Sequence, residues 1–158
     1  MEAQKWIDQL ELTPHPEGGH YASTYRSDIL MECEQGKRPL YTSIYFLLRS
    51  GEVSHFHRLQ SDEVWYFHAG SSLTIHMITP DGEYREVALG IDVANGEVPQ
   101  FVVPKHTIFG SSVKDGNTFS VVGCMVSPGF DFLDFELFSQ EALLSEYPSF
   151  SEIIKKLT

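Results

Sequence analysis

Two histidines one residue apart, His55 and His57, are followed shortly by a glutamate, Glu63, which opens the apolar run Val64-Trp65-Tyr66-Phe67. In an extended strand alternate side chains share a face, so His55 and His57 point together, as do Glu63, Trp65 and Phe67. Where both sets turn inward they meet, and two imidazoles with a carboxylate offer two chemistries. His55, His57 and Glu63 could ligate a divalent transition metal. Alternatively, a histidine serves as general base beside an orienting partner, its ordinary pKa near 6.5 suiting proton abstraction around neutrality. Glu63 is the more informative residue. A carboxylate among apolar strand residues must meet a cation, a donor or water in a cavity, because burying its charge alone costs too much. Trp65 adds an indole face of the kind that lines ring-binding pockets.

Other candidates for binding a ligand lie nearer the chain start. The turn Pro16-Glu17-Gly18-Gly19 can bring Glu17 or Arg26 to the mouth of a cavity. Twenty-two acidic against eleven basic residues give a formal charge of −11. That charge disfavours phosphate backbones and anionic lipid, so no nucleic-acid or membrane partner is expected. A phosphorylated or otherwise anionic ligand could bind only where a basic residue makes the mouth locally positive, the candidates being Arg26, Arg38, Arg49, Arg58 and Lys105. Cys33 and Cys124 stand far apart and in no metal-binding spacing, so reduced thiols are expected, without disulfide or structural zinc. No apolar run is long enough to span a bilayer, and Met1–Leu12 lacks the apolar core of a signal peptide, which together predict a cytoplasmic protein.

The elements that must position these residues are mostly strands. Residues 3–11 carry Trp6, Ile7 and Leu10 at helical spacing before Thr13-Pro14. From about residue 20 to 137 short runs rich in β-branched and aromatic residues alternate with turn dipeptides such as Asn95-Gly96 and Asp115-Gly116. Strands are predicted over 40–48, 53–57, 63–68, 73–79, 84–89, 100–103, 118–126 and 132–137. So many antiparallel strands must hide their edges by closing or doubling, which predicts an all-β sandwich or barrel. Ser139 is placed to cap a helix ending near Tyr147, and Ser149-Phe-Ser-Glu152 fits a capping box for a last helix. Residues 1–158 read as one domain.

The central stretch resembles the first motif of the cupin superfamily, in which glycine is followed by His-x-His, a spacer, Glu, six residues and glycine. Glu63 and Gly70 keep the six-residue interval, whereas five residues separate His57 from Glu63 and Gly51 sits close to His55. Where the second motif is due, Phe109 stands in place of its histidine and His106 in place of its glycine. The likeness tightens against the small cupins grouped as cupin type 5 and described as predicted sugar epimerases. Three blocks carry it: His15-Pro-Glu-Gly-Gly-His-Tyr21 with Tyr25-Arg-Ser27; Ser54, His57-Arg58, Asp62-Glu-Val-Trp65 and Gly70; and Val122-Gly-Cys124 with Pro128-Gly-Phe-Asp-Phe132 and Asp134-Phe-Glu-Leu137.

The resemblance implies a double-stranded β-helix, the jelly-roll cupin barrel, with a short N-terminal helix and C-terminal helices. It further implies a metal-independent sugar epimerase or isomerase needing no cofactor, with His57 as base and Tyr45 or Tyr66 as acid, acting on a small molecule of carbohydrate type. A homodimer is expected, since cupins commonly pair through sheet edges. Two alternatives stay open: a metal-dependent enzyme using His55, His57 and Glu63 with a divalent ion, and a small-ligand binder without catalysis.

Overall fold

The computed structural model describes residues 2–158. Thirteen strands run in chain order as β1 (Thr13–Pro14), β2 (His20–Arg26), β3 (Leu30–Cys33), β4 (Gly36–Pro39), β5 (Thr42–Arg49), β6 (Val53–Arg58), β7 (Asp62–Gly70), β8 (Leu73–Ile78), β9 (Tyr84–Leu89), β10 (Gln100–Val103), β11 (Ile108–Val113), β12 (Phe119–Ser127) and β13 (Glu136–Leu137). A six-stranded sheet has the order β1-β2-β5-β12-β7-β10, a five-stranded sheet the order β13-β6-β11-β8-β9, and β3 pairs with β4 alone. Strand neighbours within each sheet are antiparallel. This is the expected all-β jelly roll with short helices at both ends.

Alternation along the strands builds the interior. From the six-stranded sheet Phe46, Leu48, Trp65, Val122, Cys124 and Val126 face inward, and Leu73, Ile75, Met77 and Phe109 of the other sheet meet them in one core cluster. The outer face of each sheet is also covered. Helix α1 (Ala3–Gln9) lays Ile7 on Leu47 and Val121, with Tyr45 beside them. Helices α2 (Gln140–Glu146) and α3 (Ser151–Lys156) bring Leu143, Ile154 and Leu157 onto Phe56, Ile78 and Ile108. A strand apolar on both faces loses its visible alternation, as in Ile44-Tyr-Phe-Leu-Leu48, where odd and even positions serve different clusters.

Several local expectations change. The N-terminal helix stops at Gln9, since Glu11 takes a left-handed φ of 54° and Thr13–Pro14 pair with His20 and Tyr21. Strand β11 was hidden by its Gly110-Ser111-Ser112 centre, which reads as a loop yet pairs with β6 and β8. Residues 132–137 do not form one strand. Asp131 accepts a hydrogen bond from the Leu133 amide and starts a 3-10 turn over Phe132–Asp134, leaving only β13 extended. Ser139 caps α2 as expected, accepting from the Ala142 amide at 3.1 Å. The Ser149 capping box does not form, because Pro148–Phe150 is a 3-10 turn and Phe150 precedes α3. His76 is buried between the hydroxyls of Tyr84 (2.7 Å) and Ser112 (2.8 Å), with Tyr84 donating onward to Glu86.

Candidate functional site

Between the two sheets lies a cavity of about 180 Å³. Its polar side is made by His15, Glu17, His57 and Glu63, with Tyr21, Ser23, Arg26 and Thr42 toward the mouth. The apolar part of its lining is Ile44, Leu59, Val126 and the three phenylalanines Phe130, Phe132 and Phe135, the last with its ring centroid 5.4 Å from that of His57. His57 comes from β6 of one sheet and Glu63 from β7 of the other, and both turn inward, so the two groups line the same cavity.

The Pro16-Glu-Gly-Gly19 turn supplies the third polar group. Gly18 sits at φ 110°, and a Cβ there would lie 2.0 Å from the carbonyl oxygen of Val53. Only glycine lets the turn press against β6, where the Glu17 carbonyl accepts from the His55 amide at 2.7 Å. The Glu17 carboxylate is thereby held 2.9 Å from Nε2 of His57. Gly18→Ala should therefore lose stability by about 2 kcal/mol or more through strain and displacement of Glu17, read as a lowered midpoint in thermal unfolding.

Both ring nitrogens of His57 are occupied. Nδ1 lies 2.7 Å from the carbonyl oxygen of His55, which can only accept, so Nδ1 donates. One further proton is then shared between Nε2 and Glu17. Burial alone would lower the pKa of His57, but the facing Glu17 carboxylate outweighs it and the value ends raised. Burial alone would raise Glu17, yet His57 brings it below the ordinary carboxylate range. The two shifts agree on a buried ion pair. His15 adds no charge: its Nδ1 accepts from the Glu17 amide at 3.1 Å, and burial lowers its pKa despite the opposing pull of Glu17. The tilted ring of Phe109 packs on His57 with centroids 4.1 Å apart and closes off the side where the second motif would place a histidine.

Glu63 differs from its neighbours in having no fixed partner. It is 8% exposed, and its Oε2 has no hydrogen-bond partner among the described residues. The Trp65 indole N–H lies on the same face and draws the pKa down slightly, but it too completes no hydrogen bond of normal geometry. Burial, aided by the charge of Glu17 and opposed by His57, pushes the Glu63 carboxyl up to about 8. Burial thus favours a neutral carboxylic acid at Glu63, while the opposite shifts of His57 and Glu17 favour the charged form of each. Burial raises the Cys124 thiol in the same wall well above its usual range, so it too is neutral.

The remaining expected site residues divide cleanly. Arg26 reaches the cavity mouth and Glu17 its interior. Tyr45 and Tyr66 do not reach it: they alternate with the inward Phe46 and Trp65, so Tyr45 packs under α1 and Tyr66 lies on the outer face of its strand. Arg58, next to the inward His57, points outward, paired with Glu136 at 2.9 Å and lying over Phe138. Trp65 is core, 2% exposed, rather than a cavity wall. Of the other basic candidates, Arg38 is buried in a two-pronged pair with Asp134 (2.9 and 2.8 Å), and Arg49 bonds Gln4. The Arg38–Asp134 pair anchors the segment that carries Phe132 and Phe135 into the wall.

The trio proposed for metal does not assemble. His55 is not in the cavity wall, and His57 has no free lone pair to offer. Among the described residues no group of three or more His, Cys, Asp or Glu side chains is placed to hold a metal ion. Tyr21, Cys124 and the phenylalanines of the wall were not anticipated as site residues. The matching blocks around Tyr21, Cys124 and Pro128–Phe132 were the available signal.

A jelly roll of two antiparallel sheets with a side-chain-lined chamber between them defines the chain as a cupin barrel. It belongs to the Cupin_5 family of the cupin superfamily (DUF985), whose model matches residues 4–138. It is similar to protein SO0799 from Shewanella oneidensis, with 58% identity, 100% of this chain and 98% of that chain covered, and a TM-score of 0.94. A hypothetical protein from Leishmania major gives 44% identity, 100% and 99% coverage and a TM-score of 0.96. The uncharacterized protein YML079W of Saccharomyces cerevisiae is 30% identical in an alignment 146 residues long that covers 83% of this chain and 72% of that protein.

Proposed function

We propose that this cupin binds a small oxygen-bearing molecule and isomerises it by metal-independent proton transfer, with Glu63 rather than His57 as the group that moves the proton. The observation that carries this reading is the buried Glu63 carboxyl, unpartnered at Oε2 among the described residues, in a chamber of about 180 Å³. An unpaired buried polar group costs stability, and a ligand atom that pairs with it recovers that cost on binding. His57 is unsuited to the role of base because both its nitrogens are engaged, and it serves instead to neutralise Glu17.

A neutral carboxyl can transfer protons without creating a full charge in a desolvated chamber. One oxygen gives its proton to the substrate carbonyl oxygen while the other takes the proton from the adjacent carbon. The C–H pair becomes a C=C bond, the C=O π pair forms the new O–H bond, and the carboxyl ends neutral. Where the adjacent carbon bears a hydroxyl, the reverse relay takes that hydroxyl proton and protonates the former carbonyl carbon, moving the C=O along the chain; where it does not, the enol tautomer is itself the isomerised product. With one such group facing the chamber, a shift along one face of the substrate is favoured over epimerisation, which needs acid and base on opposite faces.

The protonated form is the active one. Glu63 is protonated below about 8 and ionised above it, so turnover should be steady through neutrality and fall as pH rises through about 8. Incubation of the protein in D2O with dihydroxyacetone, an aldopentose or pyruvate, followed by NMR, reads the exchange of protons next to the carbonyl. Catalysed exchange that declines above pH 8 and vanishes in Glu63→Gln is expected. Exchange that increases with pH, or that persists in Glu63→Gln, contradicts the assignment.

A further inference from the structure

Resting on the proton-transfer reading, the geometry points to a substrate class: a compact 2-oxo acid with an apolar side chain, its carboxylate held by Arg26 at the mouth, its body against the phenylalanine wall and its enolisable carbon at Glu63. Four observations carry this. First, Arg26 is the only Lys or Arg in the cavity lining. Second, each of the other arginines, Arg38, Arg49, Arg58 and Arg85, has an acidic partner, whereas Arg26 has none among the described residues. In a chain of net charge −11, an arginine left uncommitted at a cavity mouth is matched to an incoming anion.

Third, the interior presents no uncompensated negative charge to such an anion. Glu17 is matched by His57 at 2.9 Å, and burial favours the neutral forms of Glu63 and Cys124. Fourth, the wall beside the polar groups is aromatic, with the Phe135 ring centroid 5.4 Å from that of His57. Phe130, Phe132 and Phe135 form a cluster with centroids 4.9, 6.2 and 5.9 Å apart, and Ile44, Leu59 and Val126 extend it. A polyhydroxylated body would leave its hydroxyls unpaired against these rings, while an aliphatic or aromatic one is buried favourably. A chamber of about 180 Å³ also falls below the roughly 300–1,000 Å³ of sites for drug-sized ligands, which favours a compact guest.

Phenylpyruvate has all three parts, and phenylacetone is the same body without the carboxylate. Isothermal titration calorimetry with each, on wild type, Arg26→Gln and Arg26→Lys, tests the assignment. Wild type should bind phenylpyruvate at least about tenfold more tightly than phenylacetone. Arg26→Gln should remove that preference while leaving phenylacetone unchanged, and Arg26→Lys should restore part of it. Failure of wild type to bind phenylpyruvate at millimolar concentration, equal affinity for the two compounds, or an unchanged preference in Arg26→Gln overturns the inference. Deuterium exchange at the carbon next to the carbonyl of bound phenylpyruvate is read separately. Binding with the expected preference but without exchange refutes the proton-transfer reading while the carboxylate site stands.

Discussion

Replacing Glu17 with alanine is expected to destabilise the protein by about 3 kcal/mol, on the scale of removing one partner from a buried ion pair. The reason is the company in which His57 is left. Its Nε2 loses the carboxylate 2.9 Å away, and burial then dominates, so the His57 pKa should change from raised to lowered. The pair itself is stabilising only in a window. His57 has a raised folded value, so its contribution is complete below its ordinary 6.5 and is lost as pH rises through the folded value. Glu17 has a lowered one, so its contribution is complete above its ordinary 4.5 and is lost as pH falls through the folded value. The deficit of Glu17→Ala should therefore be greatest between about pH 4.5 and 6.5. Removing both charges in Glu17→Ala/His57→Phe should recover much of the loss, because no lone buried charge remains. Denaturant unfolding of the two single variants and the double variant measures this. Additive effects would show that the two groups do not act as a pair.

Glu63→Gln is expected to have the opposite effect on stability while abolishing proton transfer. A carboxyl whose folded value is about 8 binds its proton more tightly than the unfolded chain does at about 4.5. Native stability is therefore eroded as pH rises between those values, and the erosion is complete above the upper one. Over the pH interval from 5 to 8 wild type should lose about 3 kcal/mol relative to Glu63→Gln, taking 1.36 kcal/mol per pKa unit and allowing for relaxation around the charge. The comparison isolates Glu63, because Glu17, His57, His15 and Cys124 face the same chamber in both proteins. A group whose removal stabilises the fold is one kept for function, since nothing in the core is repaid by an unpaired carboxyl. Parallel stability curves across that pH range would show that Glu63 is ionised and paired in the native protein.

The barrel and its two opposed polar residues were legible because they rest on short-range rules. Period-two alternation grouped Glu63 with Trp65 and made a meeting with His57 conditional on both faces turning inward, and the glycine turn offered Glu17 or Arg26 to the cavity mouth. The same rule, counted from an inward Glu63, turns Tyr66 outward, but it could not place Tyr45 for a physical reason. The strand of Tyr45 carries apolar residues on both faces, one set for the barrel interior and one for the covering at α1, so alternation no longer says which face is inside. Phe46 and Trp65, as inward neighbours, settle it only once the register is known. Arg58 was misplaced similarly, being one residue from an inward histidine and therefore outward. The occupancy of both His57 nitrogens could not be read at all, since it depends on a carbonyl two residues back and a turn forty residues away. Nor could the aromatic wall, because Asp131 and Asp134 replace an expected strand with a 3-10 turn held by Arg38.

The proton relay requires a neutral Glu63, and a side-chain carboxyl carbon NMR titration observes that protonation state directly. With glutamate labelled at Cδ and the Glu63 signal assigned by its loss in Glu63→Gln, that signal should titrate with a midpoint near 8. A midpoint in the ordinary range near 4.5 would mean a charged carboxylate at neutral pH, and the neutral proton relay proposed for this chamber would be wrong.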